Sequence, residues 1–216
     1  MDILHALLDL FLHLDKHLAE VILRYGGWTY LILFLIVFCE TGLVVTPFLP
    51  GDSLLFAAGA FAAKGSLDLA TVMLVLFVAA VVGDNVNYLV GRTLAPRLVA
   101  GRRLRFVKQE HLVRTHRFFE RHGAKTIVIA RFVPIVRTFA PFVAGVGTMS
   151  YRRFLPFDLF GGALWISTCT LAGYFFGNLP FVRDHFSLVV LGIVLISILP
   201  GVVEIIRARR AAAPAA

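Results

Sequence analysis

The stretch "ARFVPIVRTFAPFVAGVG", residues 130–147, places Arg131 and Arg137 in a run otherwise as apolar as a membrane span, together with Pro134 and Pro141. An arginine near a bilayer centre costs about 2.5–3.5 kcal/mol on insertion scales. The prolines remove backbone donors and forbid a straight helix. The segment therefore reads as bent, with its arginines turned toward something polar.

The rest of the chain supplies the setting. Of its 216 residues 59% are hydrophobic and 16% charged, with a mean hydropathy of +0.84, whereas a soluble domain carries about 25% charged residues. This is the composition of an integral membrane protein. A β-barrel would alternate in segments of about ten residues; the apolar runs here are continuous, so the fold class is all-α. Cys39 and Cys169 stand singly in apolar segments, so no disulfide framework is implied. The net charge of +8 does not point to nucleic acid, because ten of the 21 Lys and Arg residues fall between Arg92 and Lys125 and three more form "RARR" at 207–210. Such clustering marks cytoplasmic segments of an inner-membrane protein, which puts loop 92–125 and the C-terminus in the cytoplasm.

The N-terminus, "MDILHALLDL", has an acid where a signal peptide carries positive charge. Residues 1–26 instead read as an amphipathic helix lying in the membrane interface, with Leu4, Leu7, Leu8, Phe11 and Leu12 on one face. His13 and His17 are one turn apart but lack a third ligand, so no metal or cofactor is inferred. Segments 69–90, 154–178 and 186–206 have the roughly twenty residues a span requires. Residues 28–39 and 53–63 are each too short, and the intervening "ETGLVVTPFLPGD" contains Pro47, Pro50 and Gly51, which deny a continuous helix. Segment 126–149 is broken in the same way by Pro134 and Pro141. A core over 27–180 thus reads twice as a re-entrant hairpin followed by a whole span: 28–63 then 69–90, and 126–149 then 154–178. Paired interrupted segments indicate an inverted repeat with a site at the midplane. A C-terminal span, 186–206, and a basic tail, 207–216, complete the chain. All basic clusters fall on one side only if 126–149 turns back without crossing.

Irregular backbone at membrane depth must face protein or a watery cavity. The first hairpin carries Glu40 and Asp52, the second Arg131 and Arg137, and the two sets are expected to meet. They form either an ion-pair clasp or a site where arginine forks hold an anionic group, phosphate above all, with the carboxylates as protonatable partners. Asp84 and Asn87 in the first span either line that cavity, with Thr138, or bond backbone carbonyls freed at a hairpin. Asp158 is expected to pair with Arg152 or Arg153 near the cytoplasmic surface. The hairpins offer Thr41, Thr46, Ser53 and Thr138 but no His and no acidic set with metal-ligand spacing. That argues against an enzyme. Residues 103–123 read as an amphipathic helix suited to an anionic lipid surface.

Together "ETGLVVTPFLPGD" (Glu40–Asp52), "GDNVNYLVGR" (Gly83–Arg92) and "RFVPIVRTFAPFVAG" (Arg131–Gly145), with the later "GGALW…AGYFFG" (Gly161–Gly177), resemble the DedA family, also called VTT-domain or SNARE-associated membrane proteins. The resemblance implies two re-entrant hairpins in inverted repeats and a role in moving lipid. Members are assigned as flippases for undecaprenyl phosphate or as transporters of phosphatidylethanolamine and other phospholipids. Others are linked to envelope integrity and proton-motive force, and eukaryotic relatives resemble scramblases. The family's essential acidic pair maps onto Glu40 and Asp52, and its essential arginines onto Arg131 and Arg137. The partners so implied are a phosphate-bearing lipid and a proton or other coupling cation.

Overall fold

A computed structural model describes residues 14–43, 51–99, 123, 125–147, 149–186, 188–189 and 191–193. Among these residues the fold is all-helical. Helix α1 (Leu14–Tyr25) continues through a 3-10 turn at Gly26–Trp28 into α2 (Thr29–Gly42), and α3 (Gly51–Ala63) and the long α4 (Leu69–Val99) follow. The second half comprises α5 (Lys125–Ala130), α6 (Pro134–Val146), α7 (Tyr151–Phe176) and the short α8 (Pro180–Asp184). Pro47 and Pro50, most of the basic loop, the expected helix at 103–123 and the tail lie outside the described residues. Of the expected C-terminal span only positions up to Ile193 are described, and those within 188–193 are helical.

Among the described residues three helical stretches are long and apolar enough to cross a membrane: Ala19–Gly42, Leu69–Leu94 and Tyr151–Phe176. The last two correspond to the expected spans at 69–90 and 154–178. The first joins the end of α1 to α2, elements that the sequence reading kept apart as an interfacial helix over 1–26, whose residues 1–13 lie outside the described ones, and a stretch at 28–39 too short to cross. The 3-10 turn, entered through Gly26 with a positive φ of 51°, bends the chain sharply, so that the Thr29 hydroxyl donates to the Val21 carbonyl eight residues back (3.4 Å). Outward faces are apolar, as Leu74, Val78, Val82 and Leu89 show on α4 and Phe160, Leu164 and Phe175 on α7. The charged side chains treated below point inward, the reverse of a soluble bundle.

The break in the second hairpin comes from Pro134. A residue before proline is pushed out of the helical region, and Val133 is extended at φ −121°, ψ 103°. Pro134 itself takes the first position of α6, where its missing N–H is not needed. Pro141, expected to help break the segment, lies inside α6 instead.

Cross-links set the relative depth of the elements. The Asp68 backbone N–H donates to the Tyr30 hydroxyl (2.9 Å), which brings the start of α2 level with the start of α4. Asp68 caps α4: its Oδ1 accepts from the Thr71 N–H (2.8 Å) and hydroxyl (2.6 Å), bonds that hold its carboxyl below the ordinary range. Gly42, at the end of α2, abuts Gly83, fourteen residues into α4 and so about 21 Å along it. From there α3 returns toward the Phe176 end of α7, while α5 and α6 enter and leave from the opposite end, where α7 begins.

Each hairpin's second limb lies on the other half's long helix, α3 on α7 and α6 on α4. Both crossings are backbone-close. A Cβ on Gly59 would strike the Thr170 carbonyl oxygen, and one on Gly173 the Phe56 carbonyl oxygen. The same holds for Gly145 against Tyr88 and Gly91 against Phe142. Small residues that admit such approach are the usual glue of membrane helices. The larger apolar core, with Leu33, Leu55, Leu76 and Trp165, surrounds the first hairpin. A smaller one joins Tyr88, Ile127, Ala144 and Phe154 under the second, with the Tyr88 and Phe154 rings stacked 4.5 Å apart.

Gly145→Leu forces α6 off α4 and is expected to lower stability by about 1–3 kcal/mol, the usual cost of overpacking. Gly27→Ala, where a Cβ meets nothing within 4 Å, is the neutral control. Thermal unfolding of both proteins in detergent measures the difference.

Candidate functional site

The expected meeting of the hairpins occurs at one arginine, not two. Arg137 lies in the first turns of α6, its N–H bonded to the Val133 carbonyl (2.8 Å). Its guanidinium reaches the opposite hairpin with both terminal nitrogens. Nη1 donates to Asp52 Oδ1 (2.7 Å), and Nη2 donates to Glu40 Oε1. Glu40 ends α2 and Asp52 opens α3, so the two limbs of the first hairpin converge on one cation. Asp52 also stands in the first turn of α3, where the helix dipole favours an anion. Gly51 makes the approach possible, because a Cβ there would collide with the Glu40 carboxylate. From α7, Trp165 lays its ring 4.2 Å from the Arg137 guanidinium carbon and donates its indole N–H to Asp52 Oδ1 (2.8 Å). The Arg137 and Glu40 side chains are 3% and 1% exposed, but Asp52 is 19% exposed and forms the open edge of the cluster.

Arg131 does not join them. Three successive i→i−3 bonds, from Arg131, Phe132 and Val133 to Val128, Ile129 and Ala130, close α5 and turn Arg131 toward the long helices. Its Nη2 donates to Asp84 Oδ2 of α4 and to Asp158 of α7, at Oδ1 (2.6 Å) and at the carbonyl oxygen (3.3 Å). Gly161 and Gly162 pack against the arginine side chain. The expected pairing of Arg131 with Glu40 and Asp52 is thus replaced by a second cluster, since the arginine at the end of α5 lies nearer the spans than the opposite tip. The expected pairing of Asp158 with Arg152 or Arg153 is likewise corrected: Asp158 is fully buried one helical face away from those exposed arginines.

Of the two polar residues of α4, Asp84 pairs with Arg131, whereas Asn87 bonds backbone carbonyls. Its Nδ2 donates to the Thr41 carbonyl at the end of α2 (3.1 Å) and to the Thr138 carbonyl of α6 (2.7 Å). One amide therefore ties both hairpins to the first span by satisfying backbone at their tips. Thr138 is buried at this junction and contributes that carbonyl. Sequence reasoning placed Asp84 near the site but missed its arginine, and it assigned Asp158 to the wrong arginines. The available signal was a charge count: two arginines in the second hairpin against four acids, Glu40, Asp52, Asp84 and Asp158, in apolar surroundings. Among the described residues no group of three or more His, Cys, Asp or Glu could hold a metal ion.

Comparison with known proteins agrees with the motif resemblance. A family model for the VTT domain matches residues 49–175. Protein DedA of Escherichia coli K12 is 56% identical over 218 residues, covering 100% of both chains. An uncharacterized membrane protein of Mycobacterium leprae is 47% identical, covering 78% of this chain and 75% of that one. The inner membrane protein YqjA of E. coli K12 is 38% identical, covering 71% of this chain and 70% of its own length. No solved structure matches.

Asn87→Ala leaves two tip carbonyls without their side-chain donor and is expected to cost about 2 kcal/mol. Trp165→Phe keeps an aromatic face under Arg137 but removes the bond to Asp52, and is expected to cost about 1 kcal/mol. Thermal or denaturant unfolding in detergent checks both values and their order.

Proposed function

We propose that this chain, which belongs to the DedA family of VTT-domain membrane proteins, carries a phosphate-bearing lipid across the cytoplasmic membrane, with Arg137 as the head-group station. The observation that carries the reading is the double hold on Arg137 by Glu40 and Asp52 from the facing hairpin. A buried pair adds little net stability, because desolvation offsets the Coulomb gain. An arginine fork presented at the tips of two broken helices is suited to exchanging a carboxylate for a phosphate, which it binds with the same bidentate geometry.

In this reading the hairpins form an inverted repeat, the first opening to the outer side and the second to the cytoplasm, with the basic loop 92–125 cytoplasmic. A lipid phosphate, that of undecaprenyl phosphate or of a phospholipid, enters along the partly exposed edge at Asp52. Its chains stay in the bilayer, so only the head group needs shielding from hydrocarbon. A proton delivered to Asp52 or Glu40 weakens its hold on the guanidinium, and phosphate takes the vacated donors. Loss of that proton on the far side restores the ion pair and expels the phosphate. Trp165 keeps the guanidinium in place while its partners change. Arg131, engaged elsewhere, takes no direct part in this first exchange.

Arg137→Ala is expected to reduce lipid transport in reconstituted vesicles by about tenfold or more, the equivalent of one charge-assisted bond of about 1.5–3 kcal/mol. It should also lose the phospho-lipid that co-purifies with the unmodified protein, as mass spectrometry would read. Glu40→Gln is expected to flatten the pH dependence of transport. Transport that keeps its rate in the arginine variant and its pH profile in the glutamine variant would rule this function out.

A further inference from the structure

The second cluster has more acid than base. Arg131, Asp84 and Asp158 have side chains 3%, 1% and 0% exposed, so two carboxylates share one guanidinium in an interior closed to water. Both bonds go to the same nitrogen, Nη2. A fork that could bind one carboxylate with two nitrogens instead holds two carboxylates with one. The consequence is visible in what stays unpaired: Arg131 Nε and Nη1, Asp84 Oδ1 and Asp158 Oδ2 are all buried without a hydrogen-bond partner. The two carboxylates anchored to this nitrogen also interact with each other as a hydrogen-bonding pair, so a proton on either can bridge to its neighbour. Fully ionised, the cluster would carry one uncompensated negative charge inside a membrane bundle, and a group in that position neutralises instead. Carboxyl pairs held this close share a proton and titrate as a unit.

We propose that Asp84 and Asp158, bridged by Arg131, form a proton-binding site that holds one shared proton at neutral pH, separate from the Arg137 cluster.

The two clusters are arranged in series. On α7, Asp158 and Trp165 are seven residues apart, about 10 Å in depth, with Asp158 nearer the end from which the second hairpin enters. They also sense each other, because Asp84 lies within electrostatic reach of Arg137. The charged groups bearing on the shared proton are therefore Arg131 at the end of α5, Asp158 of α7 and Arg137 of α6. Behind Arg137 stand Glu40 of α2 and Asp52 of α3. An anionic phosphate arriving at Arg137 offsets the positive field that this cation exerts at Asp84, so the inner proton is held more tightly while the phosphate is bound and less tightly once it leaves. That use of the proton rests on the transport reading above; the existence of the site does not.

The test reads the site without lipid. Infrared difference spectroscopy of the full chain in detergent detects the carbonyl stretch of a protonated carboxyl group. One such band is expected at neutral pH, lost in Asp84→Asn and in Asp158→Asn, and retained in Glu40→Gln and Asp52→Asn. Absence of the band in the unmodified protein overturns the proposal. So does its survival in either inner variant, or its displacement by sodium ions, which would make the occupant a metal cation. Should an inner variant fail to fold, the Glu40→Gln/Asp52→Asn double variant decides: persistence of the band assigns it to the inner pair, and loss assigns it to the tips. A band with this assignment in a protein that moves no lipid would leave the proton site standing and remove only the transport reading.

Discussion

A guanidinium at membrane depth must be met by carboxylates brought from elsewhere in the chain, and the rest of the structure depends on how that is done. Arg137 cannot be neutralised from its own hairpin, which has no acid. Its partners come from two limbs separated from it by more than eighty positions. That requirement fixes the first hairpin's tip opposite the second's. It also explains the glycine at 51, which leaves space for the Glu40 carboxylate, and the position of Asp52 at a helix start. The close crossings of α3 on α7 and α6 on α4 carry the tips to that point and leave no slack there.

Much of this was legible in the sequence. Pro134 announces its break, because the geometry of the residue before a proline is local and needs no knowledge of the fold. The two long helices are equally local, being runs of apolar residues of sufficient length. Pro141 misled because a missing N–H does not break a helix whose neighbours compensate. The donor it removes would have served the Arg137 carbonyl, and one residue on, the Thr138 carbonyl is bonded by Asn87 from another helix.

What could not be read locally was the partnering. Asp158 sits seven residues into its helix and close in sequence to Arg152 and Arg153, so proximity along the chain suggested an interfacial pair. A helix face is decided by what packs on it, and α5, with Arg131 directly after it, covers the face that carries Asp158, Gly161 and Gly162. The glycine pair that follows Asp158 is the trace of that contact. Its meaning depends on knowing which element arrives.

The two clusters differ in what would break them. Arg137 is held by the opposite hairpin, so separating the tips breaks it while leaving the long helices untouched. Arg131 is held by α4 and α7 themselves, and separating the tips leaves it intact. A bundle in which both arginines faced the same carboxylates would have a single switch, and every opening would expose every charge at once. With the partners divided between tips and spans, Arg131 anchors the second hairpin to the frame through carboxylates that Arg137 does not use. The cost of an uncompensated charge in hydrocarbon is met separately in each cluster, since each arginine has carboxylates of its own.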